Sequence, residues 1–339
     1  MTTLSYESRT TMSRDWGSLL AKLGPLIGLA FVVVLFSSLR PRIFPTFGNA
    51  EIMLLQTTVV ATGALGMTLI IISGGIDLSV GSAIALVTVA IARLLNGFVL
   101  FEVWVIPPSP PAVAALGGVA VGVLCGMLNG LLITRLSLAP FIVTLGTWGA
   151  LRGAAKGLAN EMMVVAPSTW LNNLLRTLSP GDRWMLAPPG VWLMLALALT
   201  VGAMLRYTRF GRHVFAIGSN EQTARLCGVP VERTKLLIYM LAGAFAGLAG
   251  VLQFSYLTVG DCTTAGGMEL DIIAAVVIGG ASLGGGQGSV FGSLVGALIM
   301  TAVSNGCTKM DYRNWVQEIV TGGIIVLAVA LDRLRQRRA

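Results

Sequence analysis

Charged residues are scarce in this sequence. Asp, Glu, Lys and Arg make up 11% of its 339 residues, whereas 55% are hydrophobic; a soluble globular domain carries about 25% charged residues. No charged residue occurs between Glu51 and Asp77, or between Glu102 and Arg135. Because roughly 20 consecutive apolar residues cross the hydrocarbon core of a bilayer, these runs predict membrane-spanning helices and exclude a soluble enzyme.

Metal-ligating residues are also few. The sequence has a single histidine, His213, and four cysteines, none of which are spaced as CxxC. This excludes a histidine-based zinc site and gives no support to a disulfide framework. The cysteines are interpreted as small packing residues; they are Cys125, Cys227, Cys262 and Cys307.

A nucleotide-binding loop is missing as well. The segment Gly284-Gly-Gly-Gln-Gly-Ser289 has the glycines of a phosphate loop but lacks the lysine that would reach the nucleotide phosphates. No HExxH motif occurs either. The sequence therefore predicts no catalytic residues, no cofactor and no metal. A membrane-embedded enzyme would need clustered His, Asp or Glu side chains, which are not evident.

What the sequence does have is ten apolar segments, separated by polar or helix-breaking residues. They predict an all-α membrane protein with about ten spans. The first segment has no small-x-small cleavage pattern before Arg40, so it is interpreted as a retained helix rather than a signal peptide. The predicted spans are Pro25–Leu39, Ile52–Ile72, Leu78–Leu95, Ala112–Thr134, Phe141–Ala155, Val191–Leu205, Leu236–Leu257, Leu270–Leu283, Ser289–Ser304 and Trp315–Leu331.

The net charge of +8 is interpreted as a mark of cytoplasmic segments rather than of nucleic-acid binding. With the N-terminus inside, the ten spans place 14 Lys and Arg residues in the cytoplasm and 9 on the other side, as the positive-inside rule requires. This predicts a cytoplasmic tail over residues 1–24 and a transmembrane domain over 25–332. A cytoplasmic loop at about 206–235 and a basic cytoplasmic tail over 333–339 complete the predicted topology.

Two longer connections, 98–111 and 160–189, are predicted on the outer side. The first ends in the proline-rich turn Ile106–Pro111, where no helix is expected. The second contains Trp170 and Trp184, which are typical of a membrane interface, and it is compatible with a short amphipathic surface helix.

Glycine recurs at every fourth position in two places, a pattern typical of tightly packed membrane helices. The two sets are assigned to the fourth and ninth spans. Because these spans would run in opposite directions, the pattern indicates an inverted repeat of the kind found in transporters; coincidence among 42 glycines is the alternative. The residues are Gly118, Gly122, Gly126 and Gly130, and then Gly284, Gly288, Gly292 and Gly296.

The segment Gly74–Gly81 interrupts two apolar runs with Asp77. A carboxylate near membrane depth is costly and is usually functional or well paired. The favoured interpretation is a helix cap, in which Asp77 accepts hydrogen bonds from free N–H groups of the next span. Glu269 and Asp271 also fall near a predicted span end, which disfavours a proton relay through the membrane.

The polar segment 206–235 holds six Lys and Arg residues and a short predicted helix. Asn220 is a good cap residue and Gly228 a good stop, which predicts about two helical turns between them. Because so short a helix is unstable alone, a docking element for a partner is favoured over a solvated loop. Glu221 and Arg225 are four apart on one face, and Ala224 would allow the partner to approach closely.

Seven stretches together carry a resemblance to a known family. They are Gly74–Gly81, Asn129–Gly130, Pro140–Thr147, Thr208–Arg212, Ala216–Glu221, Glu269–Gly280 and Gln317–Asp332. In this order they resemble the membrane-spanning permease of ribose/xylose-type monosaccharide ABC importers, within the branched-chain amino-acid/sugar permease superfamily. The resemblance covers about Pro25 to Asp332, and Ala139, Ser219 and Cys227 depart from the family's usual residues.

The resemblance implies roles for two groups of residues. One group would couple the chain to an ATPase, and the other forms a family motif at span boundaries. The coupling residues are Gly218, Asn220, Glu221, Ala224, Arg225 and Gly228. The motif residues are Gly75, Asp77, Ser79, Gly81, Glu269 and Asp271.

The resemblance also implies a set of partners. A separate ABC ATP-binding subunit would hydrolyse ATP, and a periplasmic or lipid-anchored sugar-binding protein would deliver a ribose-like monosaccharide. A second permease chain, as a homodimer, would complete the path within the lipid of the bacterial cytoplasmic membrane, with both termini inside. The alternatives are an ABC permease for another small polar solute, such as an amino acid, and a stand-alone secondary transporter.

Overall fold

The computed structural model describes residues 16–100, 104–179 and 181–336. Most of the predicted N-terminal tail, and residues 337–339 of the predicted basic tail, therefore lie outside the described residues. The described chain is mainly α-helical. Its helices are α1 Trp16–Leu39, α2 Phe47–Ile72, α3 Val80–Asn96, α4 Pro111–Arg135, α5 Pro140–Ala159, α6 Pro189–Tyr207, α7 Arg209–Ser219, α8 Glu221–Leu226, α9 Val231–Leu257, α10 Met268–Ile278, α11 Val290–Lys309 and α12 Asn314–Gln336.

Among the described residues, five helices are long and apolar enough to cross a membrane: α2, α4, α6, α9 and α11. Shorter apolar stretches lie in α1, α3 and α12. The protein is thus an all-α polytopic membrane protein, as predicted. A helix lies at each of the ten predicted spans, but the count of ten crossings stays a prediction.

Helix α10 is shorter than the span predicted for Leu270–Leu283. It has 11 residues, which rise about 16 Å at about 1.5 Å each, against about 30 Å of hydrocarbon. It ends at Ile278 because Gly279 and Gly280 follow, and Gly280 adopts the left-handed conformation with φ +92°. The helix therefore does not extend over the whole predicted span, and the crossing of the bilayer by this segment stays a prediction.

Helix α1 begins at Trp16 rather than at the predicted Pro25, which lies inside the helix. It packs on α11. Phe36 of α1 stacks on Phe44, which lies between α1 and α2, with 5.5 Å between the ring centroids. Both rings belong to a cluster that includes Ile299 of α11. The packing makes α1 part of the folded domain, as the interpretation of a retained helix requires.

Helix α2 is the central helix of the bundle. Its apolar stretch is almost wholly buried, and α6, α9, α10 and α11 pack around it. Threonines in α2 satisfy their hydroxyl groups by donating to carbonyl oxygens four residues earlier, as Thr62 and Thr68 do. The Thr68 hydroxyl also lies 2.7 Å from that of Ser293 on α11, a polar contact that ties two helices together in the membrane.

Glycines bring the backbones of α4 and α9 into contact. A Cβ atom added at Gly126 would collide with the carbonyl oxygen of Tyr239 and lie 2.9 Å from the Cα atom of Gly243. A Cβ atom at Gly122 would collide with the Gly243 carbonyl in the same way. Gly118 faces Ile91 of α3 instead. The α4–α9 pair is the most extensive helix contact in the described chain.

The second glycine set is only partly helical. Gly292 and Gly296 let α11 approach the C-terminal half of α10. Because α11 begins at Val290, Gly284 and Gly288 lie in the connection before it. The prediction of four glycines on one helix face is therefore wrong for this set, and the inverted repeat stays a prediction.

The connection over residues 98–111, which we call the first outer connection after its predicted side, contains a strand pair that was not predicted. Strand β1, Phe98–Leu100, pairs antiparallel with β2, Trp104–Ile106. The prolines that follow make the predicted turn, and Pro111 opens α4 at its first position, where a missing N–H group costs nothing.

The second outer connection contains two 3-10 helices, Trp170–Asn173 and Arg183–Met185, in place of a surface α-helix. Strand β3, Val164–Val165, pairs with β4, Val259–Gly260, just after α9. The N–H group of Leu175 donates to the Ser255 hydroxyl at 2.9 Å. These contacts hold the connection against the end of α9.

Candidate functional site

The predicted short helix at Asn220–Gly228 is present as α8. The Asn220 side chain caps it by accepting a hydrogen bond from the N–H group of Thr223 at 2.9 Å. The helix ends at Leu226, and Gly228 then adopts φ +82°, a conformation that favours glycine. The preceding polar residues form a second helix, α7, which was not predicted.

Four charged side chains on and beside α8 form a network. Glu221 pairs with Arg225 at 3.6 Å and with Lys235 at 2.6 Å, and Arg225 also pairs with Glu232. The hydrogen bond to the Glu232 carboxylate raises the pKa of Arg225. These charges therefore fix α8 on the start of α9, although they remain partly exposed.

Two of the predicted coupling residues make packing contacts within the chain: Ala224 on α8 and Gly218 on α7. Ala224 is only 4% exposed and packs against Ile217 and Val231. Gly218 lies against the carbonyl oxygen of Ile72, where a Cβ atom would collide. The expectation that Ala224 offers close approach to a partner is wrong; both residues let the chain pack on itself.

Leu226 of α8 is a candidate site residue that the sequence did not single out. Its side chain is 89% exposed, next to the exposed residues Gln222, Thr223 and Arg225. Nothing in the spacing marks it, because a leucine at the end of a short helix usually points inward. Leu226 therefore places a large apolar side chain on the exposed face of α8, among polar neighbours.

The motif before α3 is built around Asp77, which is buried. Its carboxylate accepts hydrogen bonds from the N–H group of Ser79 at 2.8 Å and from the Ser79 hydroxyl at 2.6 Å. Asn129 on α4 donates to the same hydroxyl at 2.8 Å. Asp77 thus binds the cap residue of α3 rather than the N–H groups of its first turn. Gly75 leaves room for the hydroxyl of Tyr239.

Glu269 forms a second buried contact. Trp148 on α5 donates its indole N–H to the Glu269 carboxylate at 3.0 Å, and the other carboxylate oxygen lies over Gly81, where a Cβ atom would collide. Glu269 therefore joins α10 to α3 and α5. No feature of the sequence indicated that Trp148 would take part.

A cavity of about 490 Å³ lies beneath the 3-10 helix Trp170–Asn173, at the ends of α2 and α9. Its lining is provided by the outer connection, by Leu55 of α2 and by the end of α9. The polar residues in the lining are Ser168, Thr169, Asn172, Asn173, Arg176, Thr177, Ser255, Tyr256 and Thr258. We call it the outer cavity.

A smaller cavity of about 200 Å³ lies deeper, between α2, α9, α10 and α11. Asp271, one of the predicted motif residues, lines it together with side chains that the sequence did not single out. The polar lining residues are Gln56, Gln253, Tyr256, Asp271, Thr301 and Ser304. We call it the inner cavity; Tyr256 lines both cavities.

The cavities and α8 lie near opposite ends of the bundle. In helix α2, Gln56 lines the inner cavity. Ile72, the last residue of α2, lies beside Gly218 in the last turn of α7. The stretch between Gln56 and Ile72 rises about 24 Å at about 1.5 Å per residue. The inner cavity and the loop that carries α8 are therefore separated by most of the roughly 30 Å of a bilayer's hydrocarbon core.

Most of the chain matches a known protein family. Residues 49–329 match the family described as branched-chain amino acid transport system / permease component. The chain belongs to this family. The match begins in α2 and ends in α12, so both cavities and α8 lie within the permease component.

Several transport permeases are similar to this permease component over most of their length. The ribose import permease protein RbsC of Escherichia coli strain K12 is 37% identical over 99% of this chain and 100% of its own length. RbsC of Bacillus subtilis is 36% identical over 92% of each chain. The D-allose transport system permease protein AlsC of Escherichia coli strain K12 is 34% identical, again over 92% of each chain. No solved structure gives a significant match.

Proposed function

We propose that the chain is the membrane-spanning subunit of an ATP-driven ABC importer and forms the path for a monosaccharide through the bacterial cytoplasmic membrane. The observation that carries the proposal is its similarity, over 99% of its length, to a permease for ribose import. Related permeases named for allose and xylose point to the same class of solute.

The ATP-binding subunit would dock on α7 and α8, with Leu226 as the apolar anchor. The charge network around Glu221 and Arg225 would hold α8 rigid, so that a movement of the docked subunit is passed to α9. Asn220 and Gly228 would fix the two ends of α8, whereas Gly218 and Ala224 would act by packing within the chain.

The alternatives make different use of the buried carboxylates. A stand-alone secondary transporter would need a relay of ionisable groups across the membrane. Asp77 is instead engaged locally by Ser79 at the start of α3, and Glu269 is engaged by Trp148 as a link between α10 and α5. An amino-acid permease would need a group that binds the solute carboxylate, and among the described residues the inner cavity has no Lys or Arg in its lining.

Reconstitution in proteoliposomes tests the proposal. The purified chain alone should not bind ATP at micromolar concentration, because the Gly284–Ser289 loop lacks the phosphate-loop lysine. Together with its own ATP-binding subunit and solute-binding protein, it should import radiolabelled ribose, allose or xylose only when ATP is present on the side of the ATP-binding subunit.

Uptake by the chain alone, driven by an ion gradient, would establish the secondary transporter instead. ATP-dependent uptake of an amino acid but not of any monosaccharide would contradict the proposed solute class while retaining the importer.

The orientation in the membrane has its own test. A Gln222→Cys variant, made in a Cys227→Ser background, should react with an impermeant thiol reagent only from the cytoplasmic side of intact or inverted vesicles. The reason is that the basic segment 206–235 should remain inside. Binding of the ATP-binding subunit should slow the reaction of this thiol with the reagent.

A Val165→Cys variant provides the matched control, since Val165 is 73% exposed on the outer connection. It should label only from the outside. The opposite result for both variants would invert the topology and remove the docking assignment for α8.

A further inference from the structure

Tyr256 is the point at which the two cavities meet. It lies in the last turn of α9 and contributes to the lining of the outer cavity and of the inner cavity. Its hydroxyl accepts a hydrogen bond from the Gln56 amide at 3.3 Å, so a side chain from α2 and one from α9 meet between the cavities. The neighbouring residue Ser255 accepts a hydrogen bond from Leu175, which anchors the outer connection at the same place.

The lining of the inner cavity defines what it can bind. Asp271 provides a carboxylate with about four acceptor positions, and the amides of Gln56 and Gln253 each provide donors and an acceptor. The Gln253 amide is oriented by a 2.9 Å hydrogen bond that it donates to the Thr264 hydroxyl, which leaves its carbonyl oxygen as an acceptor. Hydroxyl groups, which both donate and accept, match this set of partners.

The charge of the inner cavity further limits which solutes it can bind. In the part of the chain that the structure describes, its lining has one carboxylate and no basic side chain. An anionic solute would therefore meet the Asp271 carboxylate without a compensating cation. Its volume of about 200 Å³ exceeds that of several water molecules. A small, neutral solute that is rich in hydroxyl groups fits both the size and the charge.

We propose that the inner cavity is a binding site for a neutral, polyhydroxylated solute within the membrane domain, and that the ring of Tyr256 is the barrier between it and the outer cavity. The solute would pass from the outer cavity when Tyr256 swings away from Gln56, and Asp271 would then bind its hydroxyl groups. This deepens the proposed transport function and rests on it.

Thiol labelling tests both parts on the full-length chain alone, in nanodiscs. Thr301→Cys, in a Cys227→Ser background, places a thiol in the inner cavity in place of a side chain of similar size. Adding Tyr256→Ala should speed its reaction with the small neutral reagent methyl methanethiosulfonate at least about tenfold, because a smaller side chain lowers the barrier to access. A thiol at Thr177, in the outer cavity, should react at the same rate with or without Tyr256→Ala.

The solute is tested in the same preparation. Ribose, allose or xylose at millimolar concentration should protect the thiol at position 301 when Tyr256 is replaced by alanine. Asp271→Asn should remove that protection, measured as the ratio of the labelling rates with and without sugar in the same variant. Glycine and leucine should give no protection.

Tyr312→Ala is the matched control, because Tyr312 is another exposed tyrosine outside both cavities. If it speeds labelling at position 301 as much as Tyr256→Ala does, the effect is general loosening and the barrier is disproved. An unchanged rate in Tyr256→Ala, or protection by amino acids and by no sugar, would also overturn the proposal. These readouts need no ATP, so they are independent of the uptake assay.

Discussion

The Gly126→Leu variant is expected to lose the folded protein. At Gly126 even a Cβ atom would collide with the carbonyl oxygen of Tyr239, so the backbones of α4 and α9 must separate to admit any side chain. Overpacking commonly costs about 1–3 kcal/mol, and a collision with the backbone of the most extensive helix pair should cost at least the upper part of that range. Size-exclusion chromatography in detergent should show loss of the monodisperse peak, and any remaining protein should melt at a lower temperature.

Gly202→Leu is the control for this prediction. Gly202 lies on α6, and a Cβ atom there would meet nothing within 4 Å. The variant should elute and melt as the wild type does. A Gly126→Leu protein that remains monodisperse with an unchanged melting temperature would show that the close contact of α4 and α9 is not required for folding.

The Leu226→Asp variant is expected to fold and insert normally but to lose coupling. Leu226 is 89% exposed, so the change costs the chain itself few contacts. If it is the anchor of the docked ATP-binding subunit, a charge there should cost about 2 kcal/mol or more, as interface hot spots do, which is roughly 30-fold in affinity. Affinity for the ATP-binding subunit and ATP-dependent uptake should fall together.

Leu186→Asp makes the same change at another exposed leucine, which is 80% exposed and lies in the outer connection, near the opposite end of the bundle. It should leave the affinity for the ATP-binding subunit unchanged. Wild-type affinity and uptake in Leu226→Asp would exclude α8 as the docking element, even if the chain is an importer subunit.

Leu226→Asp and Leu186→Asp separate an effect on docking from an effect on folding. A change at Ala224 or Glu221 would not separate them. Ala224 is buried within the chain and Glu221 is paired with Lys235 and Arg225. A bulky residue at the first position, or a lysine at the second, would release α8 from α9. Loss of uptake would then report only that α8 had moved.

The class of protein and its local signals were predictable from the sequence. The long runs without charge predict membrane helices because no alternative buries so much apolar surface. Asn220 and Gly228 bound α8 because a cap side chain and a left-handed glycine act through backbone atoms only a few residues away. Gly122 and Gly126 indicated a close helix contact for the same reason, since their spacing on one helix fixes a common face.

Other features depend on contacts between residues that are distant in the chain, and only the tertiary structure determined them. The partner of Gly126 is Tyr239, and Tyr256 lies between two cavities whose walls come from five separate segments. Helix α10 ends at Ile278, where Gly279 packs against Gly292 of α11 and Gly280 adopts the left-handed conformation. A sequence pattern gives the face and the period of a helix, but which helix it meets depends on how the whole bundle packs. For that reason the sequence determined the membrane class, most helices and the cap of α8, whereas the burial of Ala224, the exposure of Leu226 and the polar cavity around Asp271 were decided by the fold.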